Sequence, residues 1–184
     1  MMLGRDASRV TNKCRACLAN PVVLTVSQLE GQADTGGKGL AGISFQIRAG
    51  EVLGSAGVEG NGQTELVETI VGVRRASGGD IILDGTSIAN LPTSWILHQG
   101  VGLIPEDRQN QGLIMHFDIK DNLVLGQHRE PPFCTGGRLR CDEIMDFSLQ
   151  VLKDFTIRPG EPNLPVKTLS GGNQQKVLVG RELS

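Results

Sequence analysis

The first hundred residues carry the alternation of apolar and polar positions that is typical of β-strands. Residues 22–29, directly after Pro21, alternate in this way, and residues 43–47 do so again after the glycine-rich segment DTGGKG. This pattern predicts two strands joined as a hairpin. Two mainly apolar segments, EVLGSAG at 51–57 and VGLIP at 101–105, predict buried strands.

A change to a period near 3.6 residues predicts helices between and after these strands. In TELVETIVGV the residues Leu66, Ile70 and Val73 share one face, which predicts a helix that ends at Gly72. A small helix is expected after Pro92. Three longer helical segments follow: DIKDNLVLG (118–126), CDEIMDFSLQVLKDF (141–155) with its apolar stripe Ile144, Phe147, Val151, Leu152 and Phe155, and SGGNQQKVLVGREL (170–183).

A short strand is also expected at 77–85, where SGGDIILDG carries turn residues at both ends. Its apolar residues are followed by Asp84, and a carboxylate at the end of a strand is one way to hold a metal ion. Because Gly85 comes next, Asp84 is interpreted as a turn residue, and no catalytic carboxylate is assigned. The mixture of strands and helices predicts an α/β fold.

Composition narrows the classes of function. The chain has 184 residues, of which 39% are hydrophobic and 21% charged, enough for one globular domain with a sizeable core. The formal net charge of −2 offers no basic field for nucleic acid or an anionic membrane surface. No apolar run approaches the ~18 residues that span a bilayer, and residues 1–20 lack a signal-peptide core. A cytosolic protein is therefore expected.

Cysteine and histidine residues give little sign of a metal site. Cys14 and Cys17 form a C-x-x-C pair, whereas Cys134 and Cys141 follow much later in the chain at a wider spacing than that of zinc knuckles. Four reduced thiols are the simpler interpretation, with a zinc site as the alternative. The histidines show no i, i+4 ligand pair and are expected at the surface or in packing: His98, His116 and His128.

The segment GVEGNGQT at 57–64 has the spacing of a phosphate-binding loop, G-x-x-x-x-G-x-T, between a strand and a helix. Glycines let backbone N–H groups point at phosphates, the helix start adds partial positive charge, and Thr64 can offer a hydroxyl to Mg²⁺. Gln63 stands where such loops carry lysine, so a contact of about 1.5–3 kcal/mol becomes one nearer 1 kcal/mol. A tight turn without ligand is the alternative. The candidate nucleotide-binding residues are Gly57, Glu59, Gly60, Asn61, Gly62, Gln63 and Thr64.

The segment LSGGNQQK at 169–176 resembles the signature motif of ATP-binding-cassette (ABC) transporter ATPases. A serine hydroxyl and glycine amides at a helix start make an anion site. With the loop at 57–64 and VGLIPEDR between the two, the chain is similar to the second ATPase half of the double-cassette subunits that energise uptake of simple sugars and nucleosides. GVEGNGQTEL is most similar to the nucleoside branch. The signature residues that the resemblance implies are Leu169, Ser170, Gly171, Gly172 and Gln174.

The resemblance implies a P-loop NTPase fold of the ABC type. Residues 1–20 would be a linker or disordered segment, and the nucleotide-binding domain over 21–184 would have its core over about 21–104 and a helical subdomain over about 105–184. ATP and Mg²⁺ are the implied cofactors. The implied partners are a second ABC cassette, membrane permease subunits and, indirectly, a solute-binding protein, at the inner face of the cell membrane. The implied function is ATP hydrolysis coupled to import, with this half supplying its signature motif to the partner cassette.

The sequence departs from the family pattern at several places. Residues 25–44 contain no aromatic side chain that could stack on adenine. Glu106 corresponds to the glutamine that senses Mg²⁺ and the attacking water, and an ionised carboxylate can coordinate metal but cannot donate a hydrogen bond. The chain stops at Ser184, before the strand that carries the Mg²⁺-binding aspartate in the family, so an inactive fragment is expected. A non-hydrolysing nucleotide-binding or interaction module is the alternative.

Overall fold

The computed structural model describes residues 19–32, 39–58 and 60–184. The chain forms two compact units, which divide between Ile96 and Leu97. The first unit contains an antiparallel sheet and the second is mainly helical. Within the described ranges, no helix is both long and apolar enough to span a membrane.

Four antiparallel strands form the sheet of the first unit in the order β2-β1-β3-β4. Their bounds are β1 (Val22–Gly31), β2 (Leu40–Arg48), β3 (Ala76–Leu83) and β4 (Thr86–Ser87). Val26 lies opposite Phe45 on one side and Ile81 on the other, and both Val26 and Ile81 are buried. The predicted hairpin of residues 22–29 with 43–47 is confirmed, and so is the short strand at 77–85.

A bulge in β1 shows why one glycine of β3 cannot be replaced. Gln28 has a positive φ of 47°, and the pairing register with β2 shifts between Val26 and Leu29. The Gln28 side chain donates to Ser44 Oγ at 3.0 Å. Gly79, with φ +82°, crosses β1 here, and a Cβ on it would collide with the carbonyl of Gln28. The close backbone approach therefore requires glycine.

Two turns predicted from the sequence are confirmed. Asp84 and Gly85 join β3 to β4 with φ values of 47° and 81°, the positive pair that a type I′ turn needs. Helix α1 (Gln63–Ile70) ends through Gly72, whose N–H donates to the Thr69 carbonyl at 3.2 Å. The φ of Gly72 is +76°, so glycine fits this left-handed helix end without strain. Helix α2 (Thr93–His98) follows Pro92, as expected.

The buried strands predicted at 51–57 and 101–105 are wrong. Residues 51–58 run without regular structure, and Val52 and Leu53 are 88% and 47% exposed. An apolar pattern indicates only that a segment can be buried. A strand also needs a neighbouring strand with which its backbone can form hydrogen bonds. None of the described strands pairs with either segment. In the second unit, the Leu103 N–H donates instead to the Glu182 carboxylate at 3.0 Å.

The predicted apolar face of α1 is also wrong. Val73 is exposed and Leu66 is half-buried, whereas the buried residues of the helix are Glu65 and Thr69. The Thr69 hydroxyl donates to the Glu65 backbone carbonyl at 2.6 Å, which satisfies this polar side chain inside the unit. The sequence pattern predicted the helix correctly but not the face of the helix that is buried.

The second unit holds the three longer helices that the sequence predicts. They are α3 (Ile119–Leu123), α4 (Cys141–Asp154) and α5 (Gly171–Leu183). Three further elements were not predicted: a π-helical turn (Arg108–Gly112, called the π-turn below), a hairpin of β5 (Cys134–Thr135) and β6 (Arg138–Leu139), and a 3₁₀ turn (Val166–Thr168).

An aliphatic core joins α3, α4 and α5. Of the predicted stripe on α4, Ile144, Val151 and Leu152 are buried, while Phe147 and Phe155 pack at the edge. The core also includes Ile119, Leu123, Val166, Leu169, Val177 and Leu178. The interior therefore lies directly beneath the start of α5, where the serine–glycine–glycine segment is located.

Candidate functional site

The glycine loop of the first unit leads into α1. Gly60 and Gly62 have φ values of 83° and 93°, and Gly62 is the N-cap of the helix. The Asn61 N–H donates to the Val58 carbonyl at 3.2 Å, and the Leu66 N–H reaches the Gly62 carbonyl at 2.9 Å. Glycines at these positions let the backbone turn sharply into the helix, whose first N–H groups lack acceptors within the helix. Glu59 lies outside the described residues.

Gln63 folds back over the beginning of this loop. A Cβ built on Gly57 would lie 2.8 Å from Gln63 Nε2, so the amide nitrogen occupies the space above that glycine. The amide can donate hydrogen bonds toward the loop but carries no charge. Thr64, the next residue, is exposed in the first helical turn. The structure thus brings Gly57, Gly60, Gly62 and Gln63 together around the start of α1.

The predicted signature residues form a turn at the start of α5. Ser170 is the N-cap residue, with Leu169 buried before it and Gly171 and Gly172 in the first helical turn. The Ser170 hydroxyl is exposed and accepts a hydrogen bond from Asn173 Nδ2 at 3.1 Å. A helix start of this kind directs backbone N–H groups outward, which suits an anionic ligand.

Gln174 anchors this turn from inside the protein. It is 3% exposed, and its Nε2 donates to the carbonyls of Leu169 at 3.2 Å and Val166 at 3.4 Å. Its Oε1 accepts from Gln109 Nε2 at 3.2 Å. Gln174 was selected from the sequence as a member of the motif, and the structure gives it the role of a buried anchor.

Glu106 is exposed and directly precedes the π-turn. Asp107 caps that turn by accepting from the backbone N–H groups of Gln109 and Asn110 at 3.0 and 3.1 Å. The Asn110 side chain, which donates to Asp107 at 2.7 Å, is the main cause that lowers the pKa of Asp107, followed by the backbone N–H of Asn110. Arg108 adds a smaller favourable charge.

Arg108 and Gln109 are the contacts that sequence reasoning missed. A Cβ on Gly171 would lie 2.8 Å from Arg108 Nη2, so the guanidinium rests on the signature turn. Arg108 Nε is buried and makes no hydrogen bond to the described residues. The sequence does show this arginine, in the IPEDR segment and two residues after Glu106. The contact itself depends on the fold of the π-turn.

A Mg²⁺ ion that is bound together with a nucleotide needs fewer protein ligands than a metal site built by the protein alone. Among the described residues, no three His, Cys, Asp or Glu side chains cluster closely enough to hold an ion. Mg²⁺ commonly takes one or two protein ligands and completes its shell with phosphate and water. Thr64, exposed beside the loop, fits that role in the first unit, and Glu106 offers an exposed carboxylate in the second.

The other candidate ligands lie apart from these sites. Cys134 and Cys141 are free thiols, half-buried and exposed respectively, whereas Cys14 and Cys17 lie outside the described residues. The histidines occupy separate places in the second unit. His98 Nε2 is 3.3 Å from a Glu130 carboxylate oxygen, His116 Nδ1 is 3.2 Å from Lys167 Nζ, and His128 is half-buried.

A groove of about 500 Å³ lies at the C-terminal end of α4. Its floor includes the buried Leu152 and Ile157, and Leu149 at its side is 47% exposed. Two cationic side chains, Lys153 and Arg158, line it. The groove is therefore an apolar surface with a positively charged border.

A sheet, a glycine loop that opens one helix and a serine–glycine–glycine turn that opens another are elements of a P-loop fold of α/β architecture. Residues 40–184 match the model of the family described as ABC transporter. The chain belongs to this family, as the resemblance of its motifs indicated.

Curated relatives include import ATP-binding proteins. The nucleoside import ATP-binding protein NupA of Lactococcus lactis is 36% identical over 183 residues, which is 100% of this chain and 36% of the relative. The guanosine import protein NupO of Bacillus subtilis is 35% identical over the same share of both chains. The ribose import protein RbsA of Geobacillus kaustophilus is 40% identical over 77% of this chain and 28% of its own length. The chain spans about a third of the length of these relatives.

Solved structures support the same fold. An ATP-binding cassette of an ABC transporter in its ADP conformation superposes with a TM-score of 0.68 at 20% identity, covering 89% of this chain and 65% of that one. A dimeric cassette in a post-hydrolysis state with ADP and Pi gives a TM-score of 0.68 at 19% identity, over 87% and 68% of the two chains. The fold is therefore that of an ABC ATPase cassette.

Proposed function

We propose that this chain binds ATP and takes part in its hydrolysis within an ABC importer of simple sugars or nucleosides. The observation that carries the proposal is the placement of Gln63 Nε2 over Gly57, beside the start of α1. A loop of this form presents backbone N–H groups to phosphate. The solute class follows from the relatives, whose names assign import of nucleosides, guanosine and ribose to those proteins.

Each group of the loop has a part in holding the nucleotide. Backbone N–H groups at Gln63 and Thr64 would face the phosphate oxygens, and the Gln63 amide would add one neutral hydrogen bond. Thr64 would hold Mg²⁺, which neutralises charge on the phosphates. The candidate residues are Gly57, Glu59, Gly60, Asn61, Gly62, Gln63 and Thr64.

The two nucleotide-facing parts of the chain have unequal roles in this proposal. Gln63 leaves the glycine loop without a cation, while Ser170, Gly171 and Gly172 form a complete signature turn. We therefore assign this chain to the second cassette of a double-cassette subunit, where the turn completes a site on the partner cassette. The similar solved structure with ADP and Pi is described as a dimer, which supports pairing of cassettes in that protein.

The domain plan of the proposal follows the family. The core would occupy about 21–104 and the helical subdomain about 105–184, whereas nearly all of the linker or disordered segment expected over 1–20 lies outside the described residues. The cassette would lie at the inner face of the membrane as a peripheral component, with a solute-binding protein acting through the permease.

A non-hydrolysing nucleotide-binding module is the second candidate, because Gln63 and Glu106 both depart from the residues that active cassettes use. Calorimetric titration with Mg-ATP tests the binding step that both functions share. Gln63→Lys is expected to tighten binding about tenfold, or ~1.4 kcal/mol, since it restores the cation. Gln111→Lys makes the same charge change in the π-turn and is expected to have no effect. Equal affinities of all three proteins would mean that the loop does not hold phosphate.

A further inference from the structure

The π-turn lies lengthwise along one face of the signature helix α5. At its first residue, Arg108 rests on Gly171. At its last residue, Gly112 packs on Leu178, where a Cβ would come within 3.0 Å, and its carbonyl accepts from Arg181 Nη1 at 2.8 Å. Residues 171, 174, 178 and 181 share one face of a helix because they are three or four positions apart.

Between these two ends, the π-turn contacts α5 through a hydrogen bond between two amide side chains, one of which is buried. Gln109 Nε2 donates to Gln174 Oε1 at 3.2 Å, and Gln174 is 3% exposed. The opposite end of the Gln174 amide donates to the carbonyls of Val166, the first residue of the 3₁₀ turn, and Leu169, the residue that follows the turn. The orientation of this amide therefore fixes the backbone on which the signature turn rests.

Gln109 supplies the remaining partner of that amide. The two carbonyls fix its orientation, because a rotation by half a turn would point the amide oxygen at them. The Gln109 side-chain N–H then satisfies Gln174 Oε1, a buried acceptor that is otherwise left without this hydrogen bond. Gln109 is itself held in place by the backbone cap on Asp107, which accepts from the Gln109 N–H at 3.0 Å.

We propose that Gln109 is a positioning residue for the signature turn, which it holds through Gln174 and ties to the segment that carries Glu106. This inference rests on the proposed function for its effect on turnover, but not for the positioning itself. Movement at Glu106 and movement at Ser170 are then coupled, because the π-turn and α5 shift together. None of these contacts requires Gln109 to touch the nucleotide.

Hydrogen exchange on the 184-residue chain tests the positioning without nucleotide. Gln109→Ala is expected to speed exchange of the hydrogen-bonded backbone amides of Leu169 and Gln174 about fivefold, the factor that corresponds to loss of about 1 kcal/mol from one hydrogen bond. Gln111→Ala removes an exposed glutamine from the same turn and is expected to leave exchange unchanged. Unaltered exchange in Gln109→Ala would overturn the positioning role.

Combining two substitutions distinguishes loss of the hydrogen bond between Gln109 and Gln174 from a general loss of structure in the signature turn. Gln174→Ala is expected to speed exchange at the same two backbone amides by more than Gln109→Ala, since it also frees two carbonyls. Adding Gln109→Ala to Gln174→Ala is expected to give no further increase, because both changes break the same chain of contacts. Full additivity of the two effects would show that Gln109 acts independently of Gln174, against the proposal.

The ATPase activity of the full-length transporter tests whether this positioning affects turnover. Gln109→Ala is expected to lower kcat about fivefold with the KM for ATP within about twofold, because positioning of the turn affects the closed state and not the glycine loop. Gln111→Ala is the control. An unchanged kcat together with faster exchange would overturn the coupling. A wild-type transporter without ATPase activity would remove the proposed function, while the exchange result would still decide the positioning.

Discussion

The guanidinium of Arg108 lies against Gly171 at the first turn of α5, where a Cβ would come within 2.8 Å of Nη2. This contact puts a positive side chain at the positive end of a helix, an arrangement that an anion at the same place would stabilise. The proposed phosphate ligand of the signature turn would provide that negative charge.

Replacement of Gly171 by aspartate is expected to separate stability from function. In Gly171→Asp the new carboxylate lies beside Arg108 and in the first turn of α5, and both neighbours favour negative charge. The free energy of unfolding is therefore expected to stay the same or rise by about 0.5 kcal/mol, so the melting temperature should not fall. Calorimetry of the purified chain measures it, with Gly172→Asp as the control in the same turn. A clear loss of stability in Gly171→Asp alone would contradict the contact with Arg108.

The glycine loop provides a matched pair of substitutions. Gly57→Ala is expected to weaken Mg-ATP binding about fivefold, because a Cβ 2.8 Å from Gln63 Nε2 pushes that amide off the loop and costs about one hydrogen bond. Gly54→Ala adds the same methyl group three residues earlier, where nothing lies within 4 Å. Titration calorimetry compares the two. Equal affinities would show that the position of Gln63 has no part in binding.

The cap on the π-turn is expected to weaken in acid. The pKa of Asp107 is lowered below its ordinary value of 3.8, mainly by the Asn110 side chain. A lowered carboxyl pKa contributes stability that is fully present above pH 3.8 and is lost as the pH falls through the lower value in the folded chain. Asn110→Ala should move the pKa of Asp107 back toward 3.8, which a carbon-detected NMR titration of its carboxyl group measures. An unmoved pKa would contradict the assigned cause.

Local signals in the sequence predicted much of the fold. The turn at Asp84 and Gly85, the end of α1 at Gly72 and the apolar stripe of α4 depend on a few neighbouring residues, and all three are present in the structure. The strands predicted at 51–57 and 101–105 are absent because a strand also needs a partner elsewhere in the chain. Sequence alternation carries no information about that partner.

In the candidate site, too, the features that depend on neighbouring residues could be predicted and those that depend on distant residues could not. The residues from Ser170 to Gly172 were located through the resemblance of LSGGNQQK to the signature motif, and they do open a helix. The role of Gln109 could not be predicted, because it depends on a π-turn whose position along α5 is set by contacts of Gly112 with Leu178 and Arg181. Such contacts between distant segments leave no periodic pattern in the sequence.

The central claim is that this cassette contributes its signature turn more than its own glycine loop. It is tested most directly by the solute-stimulated ATPase rate of the reconstituted full-length transporter with Gly171→Asp or Gln63→Ala. Gly171→Asp is expected to lower the rate more than about tenfold, because a carboxylate beside the phosphate of the partner site repels it by several kcal/mol. Gln63→Ala is expected to keep the rate within about twofold, since this glycine loop would contribute little to turnover. Loss of turnover in Gln63→Ala with a near-normal rate in Gly171→Asp would contradict the account and make this glycine loop the active one.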